Sequence, residues 1–162
     1  MSPAVGDPAP DFELMGVAPG EDDARLFSLD DYRGQPVVLV FYPADDSPVC
    51  TRQLGTYTED IGAFREVNAQ ILAISPQSTD SHRSFSEKRG GFAFPLLSDE
   101  GKAVGAAYGI LGLLGLYRRS AFVIDAEGTI TYAHRSIGGL SFRPTGELVA
   151  AVGAQPPRGT DP

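Results

Sequence analysis

Cys50 is the only cysteine of the chain, and it follows the run Pro43-Ala44-Asp45-Asp46-Ser47-Pro48-Val49. This spacing can frame a nucleophile. The β-branched and aromatic run Val37-Val38-Leu39-Val40-Phe41-Tyr42 predicts a buried strand that ends near Tyr42. Pro43 and the two aspartates then form a loop. Ser47 is a natural helix N-cap, and Pro48 suits the first helical position. Cys50 falls at the third helical position, where backbone N–H groups and the positive end of the helix dipole gather. A thiolate is stabilised in such a place, and the thiolate is the nucleophilic form of cysteine. Ser47 can cap the helix and also donate a hydrogen bond toward whatever approaches the sulfur. Pro43 is expected to shape the pocket and shield the sulfur. A lone cysteine is more often an inert core residue. The strand–loop–Ser–Pro–x–Cys context argues against that reading.

A cation is needed to complete the site. Arg118 and Arg119 precede the run Ala121-Phe122-Val123-Ile124, a predicted strand. Adjacent strand residues face opposite sides, so at most one arginine points at the sulfur, and periodicity does not choose between them. Arg52 lies two positions beyond Cys50, off its helical face. Gln53, three positions on, shares that face and can position an arginine.

The elements that carry these residues alternate. After the first strand, Leu54, Tyr57, Ile61 and Phe64 form the stripe of one helix. Ile71-Leu72-Ala73-Ile74 reads as a second strand, giving a right-handed parallel β-α-β unit. A helix is predicted from Asp80 to Arg89 and a short strand from Phe94 to Leu97. Ser98-Asp99-Glu100 is expected to open a helix carrying Val104 and Tyr108. Ala121–Ile124 and Ile130–Ala133 flank Asp125-Ala126-Glu127-Gly128, a hairpin signal. A last helix is predicted over Gly146–Val152. Ala4–Leu14 is expected to be extended and Gly16–Ala24 to be an acidic loop. The fold class is α/β, a mixed β-sheet flanked by helices, in one domain over residues 1–154, with a flexible tail over 155–162.

Composition narrows the partners. The net charge of −8 disfavours nucleic acid and anionic lipid, and its simplest role is solubility. One cysteine excludes an intramolecular disulfide and a multi-cysteine metal site. His82 and His134 are the only histidines, so a transition-metal site would have to be improvised from carboxylates. No cofactor is expected. Met1–Pro10 lacks a basic segment followed by an apolar run, and a cytoplasmic address is the default expectation.

Taken together, these residues resemble the peroxiredoxins of the alkyl hydroperoxide reductase and thiol-specific antioxidant family. That family's active-site pattern, Pro-x-x-x-Thr/Ser-x-x-Cys, is matched by Pro43, Ser47 and Cys50. The flanks Phe41-Tyr42-Pro43 and Pro48-Val49-Cys50-Thr51 are similar to its bacterioferritin-comigratory, or Q, branch. Ala9-Pro10-Asp11-Phe12 and Phe94-Pro95-Leu96-Leu97-Ser98-Asp99 resemble further family segments. The element Arg119-Ser120-Ala121-Phe122-Val123-Ile124-Asp125 selects Arg119 over Arg118 as the catalytic arginine. The resemblance covers roughly Pro8 to Tyr132 and implies a thioredoxin-like fold with the family's N-terminal extension. It makes Cys50 the residue that attacks the peroxide, with Arg119 and Ser47 holding the peroxide and Pro43 packed over the pocket. Gln53 and Tyr42 are supporting positions.

The chain departs from the family pattern in three places. Gln53 replaces a frequent Glu, and Ser47 replaces the commoner Thr. Gly55 stands where many members of the Q branch carry a resolving cysteine. The resemblance therefore implies a one-cysteine mechanism, in which a thioredoxin-like protein or a low-molecular-weight thiol reduces oxidised Cys50. The expected activity is reduction of hydrogen peroxide and small organic hydroperoxides in antioxidant defence. The alternative is a peroxide-sensing relay or holdase with slow turnover. The glycine-broken apolar run Ile110–Tyr117 is either core or an exposed surface for homodimerisation.

Overall fold

The computed structural model describes residues 2–136 and 141–153. The strands β1 (Glu13–Val17), β2 (Arg25–Ser28), β3 (Val37–Phe41), β4 (Gln70–Ser75), β5 (Leu96–Ser98), β6 (Ser120–Ile124) and β7 (Ile130–Arg135) form one sheet in the order β2-β1-β5-β4-β3-β6-β7. The central strands are β3 (Val37–Phe41), β4 (Gln70–Ser75) and β6 (Ser120–Ile124), with β7 (Ile130–Arg135) at one edge. β3 runs parallel to β4 and antiparallel to β6. All five residues of β3 are buried, as a strand covered on both faces requires.

Alternation along the strands divides the core into two layers. Val38, Val40 and Tyr42 face α1 (Pro48–Glu59), α2 (Ile61–Glu66), α3 (Thr79–Lys88) and α5 (Thr145–Gly153), and Cys50 and Ala121 lie in this layer. Val37, Leu39 and Phe41 face the opposite layer with α4 (Ala103–Ala107), Tyr108 and Phe122. Large side chains such as Phe41, Phe64 and Phe122 are fully buried, each contributing roughly 1.5–3 kcal/mol of transfer free energy.

The two strands of the β-α-β unit, the β6–β7 hairpin and the last helix lie where the sequence predicts them. Other boundaries need correction. The expected loop Gly16–Ala24 belongs partly to a hairpin of β1 (Glu13–Val17) and β2 (Arg25–Ser28), which also claims the end of the segment expected to be extended. Gly16 has no room for a side chain there. A Cβ would stand 2.4 Å from Leu97 Cδ2 and 2.8 Å from the Leu96 carbonyl oxygen. The stripe Leu54–Phe64 is two helices that meet at Asp60. β5 is Leu96–Ser98, two residues later in its start than expected, because Pro95 has no N–H for the ladder. Ser98 therefore ends a strand instead of capping a helix. α4 starts after Lys102, and the Asp99 carboxylate accepts from the Val104 and Gly105 amides at 3.2 and 2.8 Å.

The run Ile110–Tyr117 divides between both expectations. Ile110 and Tyr117 are buried, whereas Leu113, Leu114 and Leu116 are 86%, 87% and 61% exposed on a tight turn. The tail expected over 155–162 lies outside the described residues. No described helix is long and apolar enough to cross a membrane.

Candidate active site

The site forms where β3 stops. Antiparallel register sets Phe41 opposite Ser120, so Arg119 enters β6 beside the end of β3 and the start of the loop to α1. Within that loop Asp46 adopts a left-handed φ of 65°, and Ser47 returns to extended backbone as the N-cap. Aspartate tolerates the left-handed region better than most residues because its short side chain bonds locally. Pro48 is the first helical residue, which makes Cys50 the third.

Ser47 Oγ accepts a hydrogen bond from the Cys50 amide at 3.3 Å. Its hydroxyl hydrogen remains available to a second acceptor. Cys50 is a free thiol and is 0% exposed, packed in the layer that holds Tyr42, Leu54 and Ala121. Pro43 is half-buried in the preceding loop.

Arg119 is 4% exposed, and its Nη1 donates to Gln53 Oε1 at 2.6 Å. Gln53 is itself buried, one helical turn beyond Cys50. The guanidinium is thereby fixed to the turn that carries the sulfur. The Tyr57 hydroxyl, on the same helix, donates to the Arg143 carbonyl at 2.5 Å. Burial pushes the Tyr57 pKa up to about 12, against the lowering influence of Gln53 and Arg119. Tyr57 thus stays a neutral phenol at physiological pH.

Arg118 points elsewhere. Its Nε donates to the Ser136 carbonyl at 3.0 Å and its Nη2 to the Arg135 carbonyl at 3.1 Å. Strand alternation thus separates the two arginines onto opposite sides. Arg52 lies over the Phe142 ring at 5.8 Å, away from Cys50's helical face.

Tyr42 belongs to a buried polar cluster that sequence reasoning missed. Its hydroxyl donates to Asp45 Oδ1 at 2.7 Å. Ser81 Oγ donates to Asp45 Oδ2 at 2.7 Å, and His82 Nδ1 lies 2.8 Å from the same oxygen. His82 Nε2 lies 2.9 Å from the Leu97 carbonyl oxygen. Both ring nitrogens of His82 thus have an oxygen partner, one in the loop and one in β5. Burial pushes the Asp45 carboxyl up, but hydrogen bonds from His82, Ser81 and Tyr42 outweigh it and hold its pKa below the ordinary value. Burial, reinforced by the Asp45 charge, holds the Tyr42 phenol well above its ordinary value. The available signal was a histidine in a helix after the second strand, and nothing local in the sequence pairs it with the loop.

Tyr42, Ser81 and His82 thus hold Asp45 of the loop, and Gln53 ties the Arg119 guanidinium to α1. A guanidinium and a hydroxyl beside the helix N-terminus are groups that can stabilise negative charge developing on an oxygen that leaves an O–O bond.

Comparison with known proteins identifies relatives of the whole chain. The model of the AhpC/TSA family matches residues 5–133. Chloroplastic peroxiredoxin Q of Oryza sativa subsp. japonica is 35% identical over 133 residues, covering 81% of this chain but only 58% of the rice protein. The chloroplastic peroxiredoxin Q of Sedum lineare is 34% identical, covering 81% of this chain and 68% of that protein. Among solved structures, Enterococcus faecalis AhpC superposes with a TM-score of 0.85 at 28% identity, over 95% of this chain and 92% of that one. Mycobacterium tuberculosis AhpC gives the same TM-score at 22% identity over 95% and 98% of the two chains, a likeness of fold.

Proposed function

Because the chain belongs to the AhpC/TSA family and is a peroxiredoxin similar to the Q branch, we propose that it is a thiol-dependent peroxidase acting through Cys50. The substrates are hydrogen peroxide and small organic hydroperoxides. The observation that carries this proposal is the Arg119 guanidinium tied by Gln53 to the same helical turn as Cys50.

The Cys50 thiolate attacks the terminal peroxide oxygen. An S–O bond forms, the O–O bond breaks, and the second oxygen leaves with a proton as water or an alcohol. Arg119 and the Ser47 hydroxyl orient the peroxide and stabilise charge on the departing oxygen. Pro43 limits access to the sulfur. Cys50 becomes a sulfenic acid, and the sequence holds no second cysteine to resolve it. An outside thiol condenses with it, releasing water, and a second thiol then frees Cys50. A thioredoxin-like protein or a low-molecular-weight thiol fills this part, in the reducing cytoplasm and in the service of antioxidant defence. Excess peroxide without reductant drives Cys50 on to sulfinic acid.

Stopped-flow oxidation followed by thiol addition tests the proposal. One equivalent of hydrogen peroxide should be consumed rapidly per Cys50, and continuing consumption should follow the added thiol. Oxidation that no thiol reverses would favour a peroxide sensor.

The exposed leucines 113, 114 and 116 support pairing with a second copy of the chain. Singly exposed leucines are ordinary, but three on one turn form a patch. Leu114→Glu should shift a dimer to monomer in analytical ultracentrifugation. An unchanged sedimentation coefficient would place any dimer contact elsewhere.

A further inference from the structure

Where β6 begins and β7 ends, positive charge gathers in a chain whose formal net charge is −8. Arg119, Gln53, His134, Ser136, Phe142 and Arg143 line one small cavity there. Arg118 joins it from the neighbouring position, donating to the Ser136 and Arg135 carbonyls. Arg52 flanks it on the α1 side, over the Phe142 ring. Of Arg52, Arg118 and Arg143, only Arg143 is paired with a carboxylate among the described residues, Glu147 at 3.4 Å. The carboxylates of the Cys50 loop are engaged elsewhere, Asp45 by Tyr42, Ser81 and His82, and Asp46 by Lys88 and Arg89. His134 registers the positive excess. Burial, helped by the charges of Arg143 and Arg118 and opposed by Glu147, holds its imidazole below the ordinary pKa. Gln53 adds nothing negative. It accepts from Arg119 Nη1 at 2.6 Å through a neutral amide, so it fixes the guanidinium without cancelling its charge.

We propose that this positive rim selects a small thiol bearing a carboxylate to reduce oxidised Cys50, and that Gln53 determines the preference by holding Arg119 through a neutral amide. This rests on the peroxidase function proposed above. The charge balance changes during the reaction. As a thiolate, Cys50 brings one negative charge to the helical turn before Gln53; as a sulfenic acid it brings none. The rim is therefore most positive when the reductant arrives. The thiolate of the reductant attacks the sulfenic sulfur, an S–S bond forms, and the S–O bond breaks, the oxygen taking a proton to leave as water. A carboxylate on the same small molecule suits the guanidinium groups of the rim, whose planar donors match it. A small thiol feels this local field alone, because screening confines charges to about 10 Å at 0.1 M salt. A protein reductant with an acidic surface meets the repulsion of the whole chain instead.

Thiols of similar size and different charge provide the test. They are 3-mercaptopropionate, 2-mercaptoethanol and cysteamine, which carry an anion, no charge and a cation beside the sulfur. Each is added to the full chain after oxidation with one equivalent of hydrogen peroxide, and mixed-disulfide formation is timed by intact mass. Each rate is divided by that of the same thiol with free dithiodipyridine, which cancels intrinsic reactivity. Access to the buried sulfur is common to all three thiols, so the ratio between them reads charge. At low ionic strength 3-mercaptopropionate should exceed cysteamine by about tenfold or more, with 2-mercaptoethanol between them. The ratio should shrink to about twofold or less in about 0.5 M salt. Gln53→Glu and Arg52→Glu should each lower the ratio by about threefold or more, whatever they do to the absolute rates. A parent ratio near one, a ratio that salt does not change, or a ratio unmoved by Gln53→Glu or by Arg52→Glu would overturn the proposal. Arg52 is exposed, so Arg52→Glu keeps the test decisive if Gln53→Glu fails to fold. Absence of peroxide oxidation in the parent protein would instead refute the peroxidase function. The charge preference would then be decided on the mixed disulfide of Cys50 with thiopyridine, where each thiolate attacks the Cys50 sulfur, forms a new S–S bond and releases thiopyridone.

Discussion

Cys50→Ser is expected to abolish peroxide consumption, leaving only the background reaction of hydrogen peroxide with thiol in the assay. A serine hydroxyl has no accessible anion at neutral pH and forms no sulfenic acid, so neither half-reaction remains. The measurement is peroxide loss under saturating thiol, with intact-mass spectrometry of the protein. The parent should gain one oxygen atom before reductant is added, and the variant none. The fold should survive. Cys50 is wholly buried beside Tyr42, Leu54 and Ala121, and a hydroxyl placed there without a partner costs about 1–3 kcal/mol. Cys50→Ala avoids that cost and serves as the control for stability. Activity retained in either variant would place the chemistry at another residue altogether.

Ser47, Pro48 and Cys50 were legible because helix capping is local chemistry, written in neighbouring residues. The central strands were legible because burial on both faces forces an unbroken apolar run. The N-terminal hairpin was not, since β2 is a four-residue edge strand with only Phe27 fully buried. α4 was misplaced for a related reason. Its capping carboxylate, Asp99, acts across a turn with Lys102 at a left-handed φ of 63°, so the cap stands four residues ahead of the helix it serves. The choice between Arg118 and Arg119 needed the family resemblance, because alternation says that they differ in direction without saying which faces α1. The Asp45–His82 contact joins residues 37 apart in sequence, and no periodicity encodes it. Long-range polar pairs of this kind follow from where the sheet order brings α3, and that order is a property of the whole chain.

Arg119→Ala should lower the second-order rate constant for Cys50 oxidation by about 10²–10³, the loss expected when one preorganised donor to a developing oxyanion is removed. Two features make the guanidinium hard to replace. It is nearly excluded from water, where each electrostatic contact counts for more, and Gln53 fixes its direction. Arg119→Lys keeps the charge but loses the planar fork, so it should recover only part of the rate. Arg119→Ala leaves the Gln53 Oε1 without this donor in a buried setting, at a cost of about 1–3 kcal/mol in stability. Stability and rate therefore have to be read separately. Gln53→Ala separates them, because it removes the amide while leaving the guanidinium in the chain. If Gln53 only positions Arg119, that variant should lose less rate than Arg119→Ala, and the double variant should lose no more than Arg119→Ala alone. Full additivity of the two losses would mean that Gln53 acts on the peroxide independently. A rate unchanged by Arg119→Ala would leave the thiolate without the cation on which the proposed reaction depends.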